Sequence, residues 1–330
     1  MRADFLSILV CPRTGQALNR DGDELVAVDD STRYPVRNGI PRFVSESNYA
    51  DNFGMQWNHF RQTQLDSQTG HPISADRFWK ATGWTPDAIK NQWVLDVGCG
   101  AGRFAEVALN AGAKVVALDY SSAVNACYAN LKHHPNLHVV QGDVYALPFA
   151  PCTFPFVYSL GVLQHTPDVE QAFVALTRML RPNGRICVDY YWRRFQSMMH
   201  AKYAVRPITT RMQPERVFKL LQQWTPALLK ASQTLGRIPI AGRYLQRIIP
   251  VADYTKSLPL SPQQLREWAL LDTFDMLTPT YDNPQTPSEI RKWCVNAGIG
   301  NVEILHATAL VARGVMQCTK RHPAGLSANS

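Results

Sequence analysis

Residues 91–124, NQWVLDVGCGAGRFAEVALNAGAKVVALDYSSAV, contain a complete strand–loop–helix–strand unit. The apolar run Trp93–Val97 predicts a buried strand, three alternating glycines predict a tight loop, and Arg103–Asn110 predicts a helix. A second apolar run, Lys114–Leu118, predicts the following strand. Units of this kind build parallel sheets with helices on both faces, and ligands bind at the carboxyl ends of the strands. The stretch therefore predicts an α/β, Rossmann-like fold.

The loop of this unit predicts a nucleotide-type ligand site. Glycines let the backbone approach a ligand, the helix start presents unpaired N–H groups, and Asp119 can accept hydrogen bonds from a ribose. A dinucleotide site requires glycine at the position of Arg103, so the NAD pattern fails. The pattern present is Asp-x-Gly-x-Gly-x-Gly, beginning at Asp96. It suits the zwitterionic tail of an amino acid better than a pyrophosphate.

Four stretches resemble, in order, the motifs of class I S-adenosylmethionine (SAM)-dependent methyltransferases of the Methyltransf_11 type. VLDVGCGAGRF is similar to the first motif, VVALDYS to the second, LHVVQGDVYALPF to the third, and FPFVYSLGVLQHTPD to the motif of the fourth strand. The resemblance covers about residues 91–192 and 285–318. It implies a seven-stranded, mostly parallel sheet and SAM as the cofactor.

The resemblance implies cofactor contacts residue by residue. Asp119 takes the ribose position, Asp143 would face the adenine amino group and Val144 the adenine ring. Each has a plainer alternative, because Asp119 alone could cap a loop and the sequence around Asp143 could be a simple turn. The expected cofactor-binding set is Arg77, Asp96, Gly98, Cys99, Gly100, Gly102, Asp119, Tyr120, Asp143, Val144, Leu160 and Gln164.

His165, in GVLQHTPD, is the candidate catalytic residue. It follows the predicted fourth strand, at the edge of the sheet where ligands bind. An imidazole can accept a proton from a methyl acceptor at neutral pH, so a general base is one interpretation. The alternative is a structural role, in which the ring only holds the loop beside the cofactor.

The segments that flank the predicted core supply candidate substrate contacts. Residues 52–70 predict an aromatic, amphipathic helix that covers the cofactor site, and the insert 192–284 predicts helices that form a substrate lid. One of these helices is expected to break at Pro226, and another to begin at Ser261. The expected substrate-binding set is Trp57, Phe60, Tyr191, Arg193, Asp275 and Tyr281.

The lid is strongly basic. From Tyr191 to Lys256 there are twelve Lys and Arg residues against two acidic ones, a net charge of +10 in a chain of net charge +8. Basic residues interleaved with Leu, Ile, Trp and Tyr permit an anionic small substrate, a nucleic acid or a membrane surface as partner. The plain alternative is a solvated helix face.

The first 45 residues resemble a Trm112-like zinc ribbon, through ILVCPRTGQAL and the ending YPVRNGIPRF. Alignment on the Tyr-Pro-Val stretch puts Cys11, Thr14, Ala27 and Asp30 at the four ligand positions. One thiolate and one carboxylate cannot complete the closed tetrahedral site of structural zinc. We therefore expect no metal, and a ribbon that serves packing or a homodimer contact.

Composition sets the remaining expectations. The seven cysteines are scattered through apolar segments, which argues for a reducing, cytoplasmic setting, and no apolar run is long enough to span a bilayer. The expected function is SAM-dependent methyl transfer to an O or N atom of a small-molecule acceptor, anionic or amphiphilic. An RNA methyltransferase and a non-catalytic SAM-fold scaffold are the alternatives. The expected parts are a degenerate ribbon (1–45), a helical cap (46–90), the methyltransferase core (91–191 and 285–320), the lid (192–284) and a disordered tail (321–330).

Overall fold

The computed structural model contains two sheets flanked by helices. The larger sheet has seven strands and the smaller has four. The structure describes residues 1–28, 32–45, 48–195, 200–306 and 309–317. The predicted tail, 321–330, lies outside them. The strands are β1 (Leu18–Asp21), β2 (Glu24–Ala27), β3 (Arg33–Arg37), β4 (Ile40–Pro41), β5 (Trp93–Val97), β6 (Lys114–Asp119), β7 (Leu137–Gln141), β8 (Phe154–Ser159), β9 (Leu180–Tyr190), β10 (Ile299–His306) and β11 (Leu310–Met316).

Helices cover both faces of the larger sheet and fill the insert between β9 and β10. They are α1 (Ala3–Leu6), α2 (Asp51–His59), α3 (Asp66–Thr69), α4 (Ile73–Thr82), α5 (Pro86–Ile89), α6 (Arg103–Asn110), α7 (Val124–Leu131), α8 (Val169–Met179), α9 (Lys202–Thr209), α10 (Pro214–Leu235), α11 (Gly242–Leu245), α12 (Pro262–Leu277) and α13 (Pro287–Asn296). In the described ranges, none of them is long and apolar enough to cross a membrane.

The larger sheet has the strand order β7-β6-β5-β8-β9-β11-β10. The first five strands in this order are parallel, whereas β11 runs antiparallel to both β9 and β10. The predicted seven-stranded, mostly parallel Rossmann-like fold is confirmed. The chain moves outward from β5 to β7 and then returns to β8 on the other side of β5. This reversal opens a crevice at the carboxyl ends of β5 and β8, where α/β sheets bind ligands.

The four-stranded sheet at the start of the chain is an antiparallel ribbon of β1 to β4. Its apolar side faces the main core through Leu25 and Val36. The thiol of Cys11, at one of the four positions compared with zinc ligands, lies 3.1 Å from the hydroxyl of Tyr34 and forms a hydrogen bond with it. Within the described ranges, no cluster of three or more His, Cys, Asp or Glu residues could hold a metal ion. Asp30 lies outside those ranges, and the metal-free dimer-contact role stays a prediction.

The helical insert has its own small cores. Val217 and Leu221 of α10 pack with Phe274 and Leu277 of α12. The predicted break at Pro226 is wrong, because α10 continues from Pro214 to Leu235 with that proline inside it. Buried apolar side chains lie on both sides of the proline, and their packing offsets the one backbone hydrogen bond that proline removes. Helix α12 begins as predicted, with a capping box at Ser261.

His138 on β7 makes stability depend on pH. Its ring is buried between Phe5 and Trp93, with centroid distances of 4.4 and 5.4 Å, and burial lowers its pKa to about 4. In the unfolded chain His138 binds a proton near pH 6.5, whereas in the folded chain it stays neutral down to about pH 4. The folded state therefore loses stability relative to the unfolded state as the pH falls from 6.5 towards 4. We expect the free energy of unfolding to fall by about 3 kcal/mol over this window. Urea unfolding at several pH values measures it.

The His138→Phe variant is the control, because it keeps an aromatic ring against Phe5 but cannot bind a proton. Its unfolding free energy should change by about 3 kcal/mol less than that of the wild type between pH 7 and pH 4. Equal pH dependence in the two proteins would contradict the assignment to His138.

Candidate active site

A cavity lies at the carboxyl ends of β5, β6 and β8, with an empty volume of about 890 Å³ counted to its open mouth. The loops that follow these strands supply most of the wall. Residues of α2 and Asp275 of α12 complete it. The predicted residues on the wall are Trp57, Gly98, Cys99, Gly100, Asp119, Tyr120, Asp143, Val144, Leu160, His165 and Asp275.

Two loop glycines are required by the geometry of this cavity. Gly98 and Gly100 have φ angles of +82° and +53°, in the left-handed region that favours glycine. A Cβ atom on Gly98 would lie 2.4 Å from both methyl groups of Val162, and one on Gly100 would lie 3.0 Å from the Trp57 ring. The backbone therefore approaches the opposite wall more closely than any side chain would permit.

Asp119 is fixed at the end of β6 by three hydrogen bonds. One carboxylate oxygen accepts from the Gly100 N–H at 2.9 Å, and the other accepts from the Ser121 N–H at 2.9 Å and the Ser121 hydroxyl at 2.7 Å. Burial raises the pKa of Asp119, and these donors oppose that shift. The carboxylate links the glycine loop to the tip of the second strand and is part of the cavity wall.

The hydrogen bond to Tyr281 selects one tautomer of the neutral His165 ring. Its Nδ1 lies 3.0 Å from the backbone carbonyl oxygen of Tyr281, and a carbonyl oxygen can only accept. Nδ1 therefore carries the proton, which leaves Nε2 as an acceptor. Nε2 is buried without a hydrogen-bond partner in the described part of the chain. The imidazole ring also packs against the rings of Phe53 and Tyr191, with centroid distances of 5.3 and 5.4 Å, so it cannot rotate freely.

Three predicted cofactor residues lie behind the wall. Asp96 and Gln164 are almost fully buried, and burial raises the pKa of Asp96 to about 8. A carboxyl group that is protonated at neutral pH is poorly suited to pair with an ammonium group. A Cβ atom on Gly102 would lie 2.7 Å from the Leu131 side chain and 3.0 Å from the Cys127 sulfur. This third glycine therefore permits close packing of α7.

Arg77 is engaged away from the cavity. Its guanidinium donates to the Asp189 carboxylate at 2.7 Å, and Asp189 also accepts from the Gly161 N–H. The side chain thereby ties α4 to β9 and to the loop after β8. Arg77 was expected among the cofactor contacts, but its charge is already matched by Asp189 and it is not part of the cavity wall.

The remaining substrate candidates are divided between the cavity and its surroundings. Tyr191 lies one layer back, where its hydroxyl donates to the Asp275 carboxylate at 3.3 Å. Tyr281 contributes the carbonyl that positions His165. Phe60 instead packs on Phe218, with a centroid distance of 5.7 Å. Arg193 is exposed and forms an ion pair with Glu289, away from the cavity wall.

Several wall residues were missed in the sequence, among them Tyr49, Phe53 and Arg103. Tyr49 precedes the cap helix α2, and Phe53 lies in its first turn. Their aromatic character was the signal available in the sequence. Arg103 directly follows the glycine loop and donates to the Gln64 side chain at 2.6 Å. Burial lowers the pKa of Arg103 to about 10, and its guanidinium lies 5.5 Å from the Trp268 ring. It connects the glycine loop to the lid.

Comparison with known proteins identifies the core. The sequence matches, over residues 95–188, the family model described as a methyltransferase domain. Residues 95–188 form a methyltransferase domain. A demethylmenaquinone methyltransferase of Thermobifida fusca is 32% identical over 35% of this chain and 51% of that protein. A 2-phytyl-1,4-naphtoquinone methyltransferase of Thermosynechococcus vestitus is 34% identical over 33% of this chain and 51% of that protein. The chain thus spans about half the length of these relatives.

A solved magnesium protoporphyrin IX methyltransferase from Synechocystis PCC 6803, with bound SAH, is 14% identical, with a TM-score of 0.45 over 82% of this chain and 97% of that chain. The glycine-loop and strand motifs of the sequence imply SAM as the cofactor of this domain. The cavity fits this cofactor, because Gly98 and Gly100 add no side chains to this part of the wall. Carboxyl groups of Asp119 and Asp143 supply acceptors, and Val144 and Leu160 supply an apolar wall.

Proposed function

We propose that this methyltransferase transfers a methyl group from SAM to an O or N atom of a small, amphiphilic acceptor. The observation that carries the proposal is that His165 lines the cavity and that its buried Nε2 has no hydrogen-bond partner among the described residues. Bound SAM supplies the activated methyl group. His165 accepts the proton that the acceptor atom loses, because the Tyr281 carbonyl fixes its other nitrogen as the donor.

The same arrangement assigns roles to the rest of the wall. Asp119 accepts hydrogen bonds from the ribose of the cofactor, and Asp143 with Val144 binds the adenine. The loop at Gly98 and Gly100 lets the methionine tail of the cofactor lie close to the backbone, because neither glycine has a side chain. Aromatic rings of Tyr49, Phe53 and Trp57 then cover the cofactor and exclude water from the transferring methyl group.

Two observations support an amphiphilic small molecule as acceptor. Near His165 the wall is apolar and aromatic, with Asp275 as a polar group contributed by the lid. The relatives named for demethylmenaquinone and 2-phytyl-1,4-naphtoquinone indicate lipophilic acceptors among similar proteins. The relative named malonyl-[acyl-carrier protein] O-methyltransferase, from Pseudescherichia vulneris, is 31% identical over 33% of this chain and 47% of that protein, and indicates an O-directed reaction.

Isothermal titration with SAM is the first test. We expect one binding site per chain, followed by a mass increase of one methyl group on an acceptor when a panel of quinols, phenols and acyl thioesters is incubated with protein and SAM. Absence of SAM binding would contradict every catalytic interpretation and favour a scaffold. Methylation of RNA but of no small molecule would contradict the small-molecule acceptor.

A further inference from the structure

Helix α10 has a solvent-facing apolar stripe beside its buried side. Val217, Leu221 and Leu229 form the buried side. Leu220 and Trp224 lie one helical turn apart at the margin of this side and are 46% and 56% exposed. Because these two side chains remain largely in water, they add little burial energy to the folded state. The stripe is therefore available to a partner.

The surrounding insert concentrates further exposed apolar side chains. In the described ranges, eight of the eleven large apolar residues that are exposed lie between residues 195 and 248. Ile240, in the connection after α10, is 90% exposed, and Ile208 and Ile248 are 65% and 63% exposed. Single exposed apolar residues are ordinary on a protein surface, but such a concentration marks an interaction site.

Basic side chains flank the apolar stripe of α10. Arg216, Lys219 and Lys230 are exposed, and none of them has a carboxylate within ion-pair distance among the described residues. Glu215 is the one acidic residue of the helix. Lys and Arg beside Trp and Leu match the boundary between anionic headgroups and acyl chains. We use the name α10 surface for Arg216, Lys219, Leu220, Trp224 and Lys230.

The α10 surface is one helix away from the cavity. The buried side of α10 packs through Val217 and Leu221 on Phe274 of α12. The next residue of α12, Asp275, lines the cavity. Helix α12 therefore lies between α10 and the cavity.

We propose that the α10 surface docks on a membrane that contains anionic lipid, with Leu220 and Trp224 at the acyl boundary and the basic side chains among the headgroups. The docking itself depends only on the α10 surface. The consequence that the acceptor is drawn from the bilayer rests on the proposed function. Charge alone would also suit RNA, but the exposed Leu220 side chain makes no favourable contact with a phosphate backbone, whereas a bilayer buries it together with Trp224.

Vesicle flotation of the full chain tests the docking without cofactor or acceptor. We expect binding to phosphatidylcholine vesicles that contain about 30% phosphatidylglycerol, little binding to pure phosphatidylcholine, and release at high salt. The double variant Lys219→Ala, Lys230→Ala should lower the partition coefficient about 30-fold. Trp224→Ala should lower it about tenfold, because a large apolar side chain no longer leaves water.

Matched controls lie on α13, where Lys292 is exposed and Val295 is 66% exposed. Lys292→Ala and Val295→Ala should leave the partition coefficient unchanged. Equal losses in the α10 and α13 variants, no binding to anionic vesicles at low salt, or tighter binding to a random-sequence RNA than to those vesicles would each overturn the proposal. SAM titration of the same variants keeps the two proposals separate, because docking variants should bind SAM as the wild type does.

Discussion

The His165→Asn variant should lower kcat about 1000-fold while its SAM affinity stays within about twofold of the wild type. The asparagine amide nitrogen takes a position similar to Nδ1 and can still donate to the Tyr281 carbonyl. The variant therefore keeps the contact that holds the loop but has no proton acceptor in place of Nε2. Single-turnover methyl transfer to the acceptor found in the mass screen, together with SAM titration, measures both quantities.

A comparison with His165→Ala separates chemistry from structure. Alanine removes the contact to Tyr281 as well as the acceptor nitrogen, so both SAM affinity and kcat should fall. His133→Asn, at an exposed position outside the cavity wall, is the control and should retain full activity. If His165→Asn kept the wild-type kcat, the ring would only position the loop, and the general-base role would be rejected.

The Gly98→Ala variant should weaken SAM binding about 100-fold, equivalent to about 2.7 kcal/mol. Its new methyl group would lie 2.4 Å from both methyl groups of Val162, and its backbone would be strained at a φ angle of +82°. Either the glycine loop or Val162 must move, and both belong to the cavity wall. Isothermal titration gives the affinity, and thermal unfolding shows whether the variant is folded.

Gly112→Ala is a matched control for this experiment. Gly112 also has a φ angle of +82°, but a Cβ atom there would meet only the Lys90 side chain, at 3.4 Å. It therefore reproduces the backbone strain at a position outside the cavity wall. Both variants should lose some stability, and only Gly98→Ala should lose SAM affinity. Equal affinity losses in the two variants would mean that strain, rather than the cavity, causes the effect.

The sheet could be predicted from the sequence because its signals are local. Trp93–Val97, the glycine loop and Arg103–Asn110 each carry their own pattern, and the structure places them at those bounds. Pro226 shows the limit of such rules. A proline predicts a break from its own geometry, whereas the continuity of α10 depends on packing against Phe274, about fifty residues later in the chain.

The candidate site was predictable to the extent that its residues follow strands. Asp119 and His165 do so, and both are on the cavity wall. Arg77 and Gly102 illustrate what spacing cannot reveal. The partner of Arg77, Asp189, is 112 positions away, and Gly102 is required by the side chains of α7. Glycines of one motif can thus be required by close contacts with different parts of the structure. The sequence pattern alone does not reveal these contacts.

The attachment of the ribbon has a consequence for the outer side of the larger sheet. Strand β7 is an edge strand, and the Phe43 N–H at the end of the ribbon donates to its Gln141 carbonyl at 2.8 Å. An unpaired strand edge is a template for aggregation and strand exchange between copies. By pairing at the carboxyl end of β7, the ribbon covers part of this edge of the sheet and so limits self-association there.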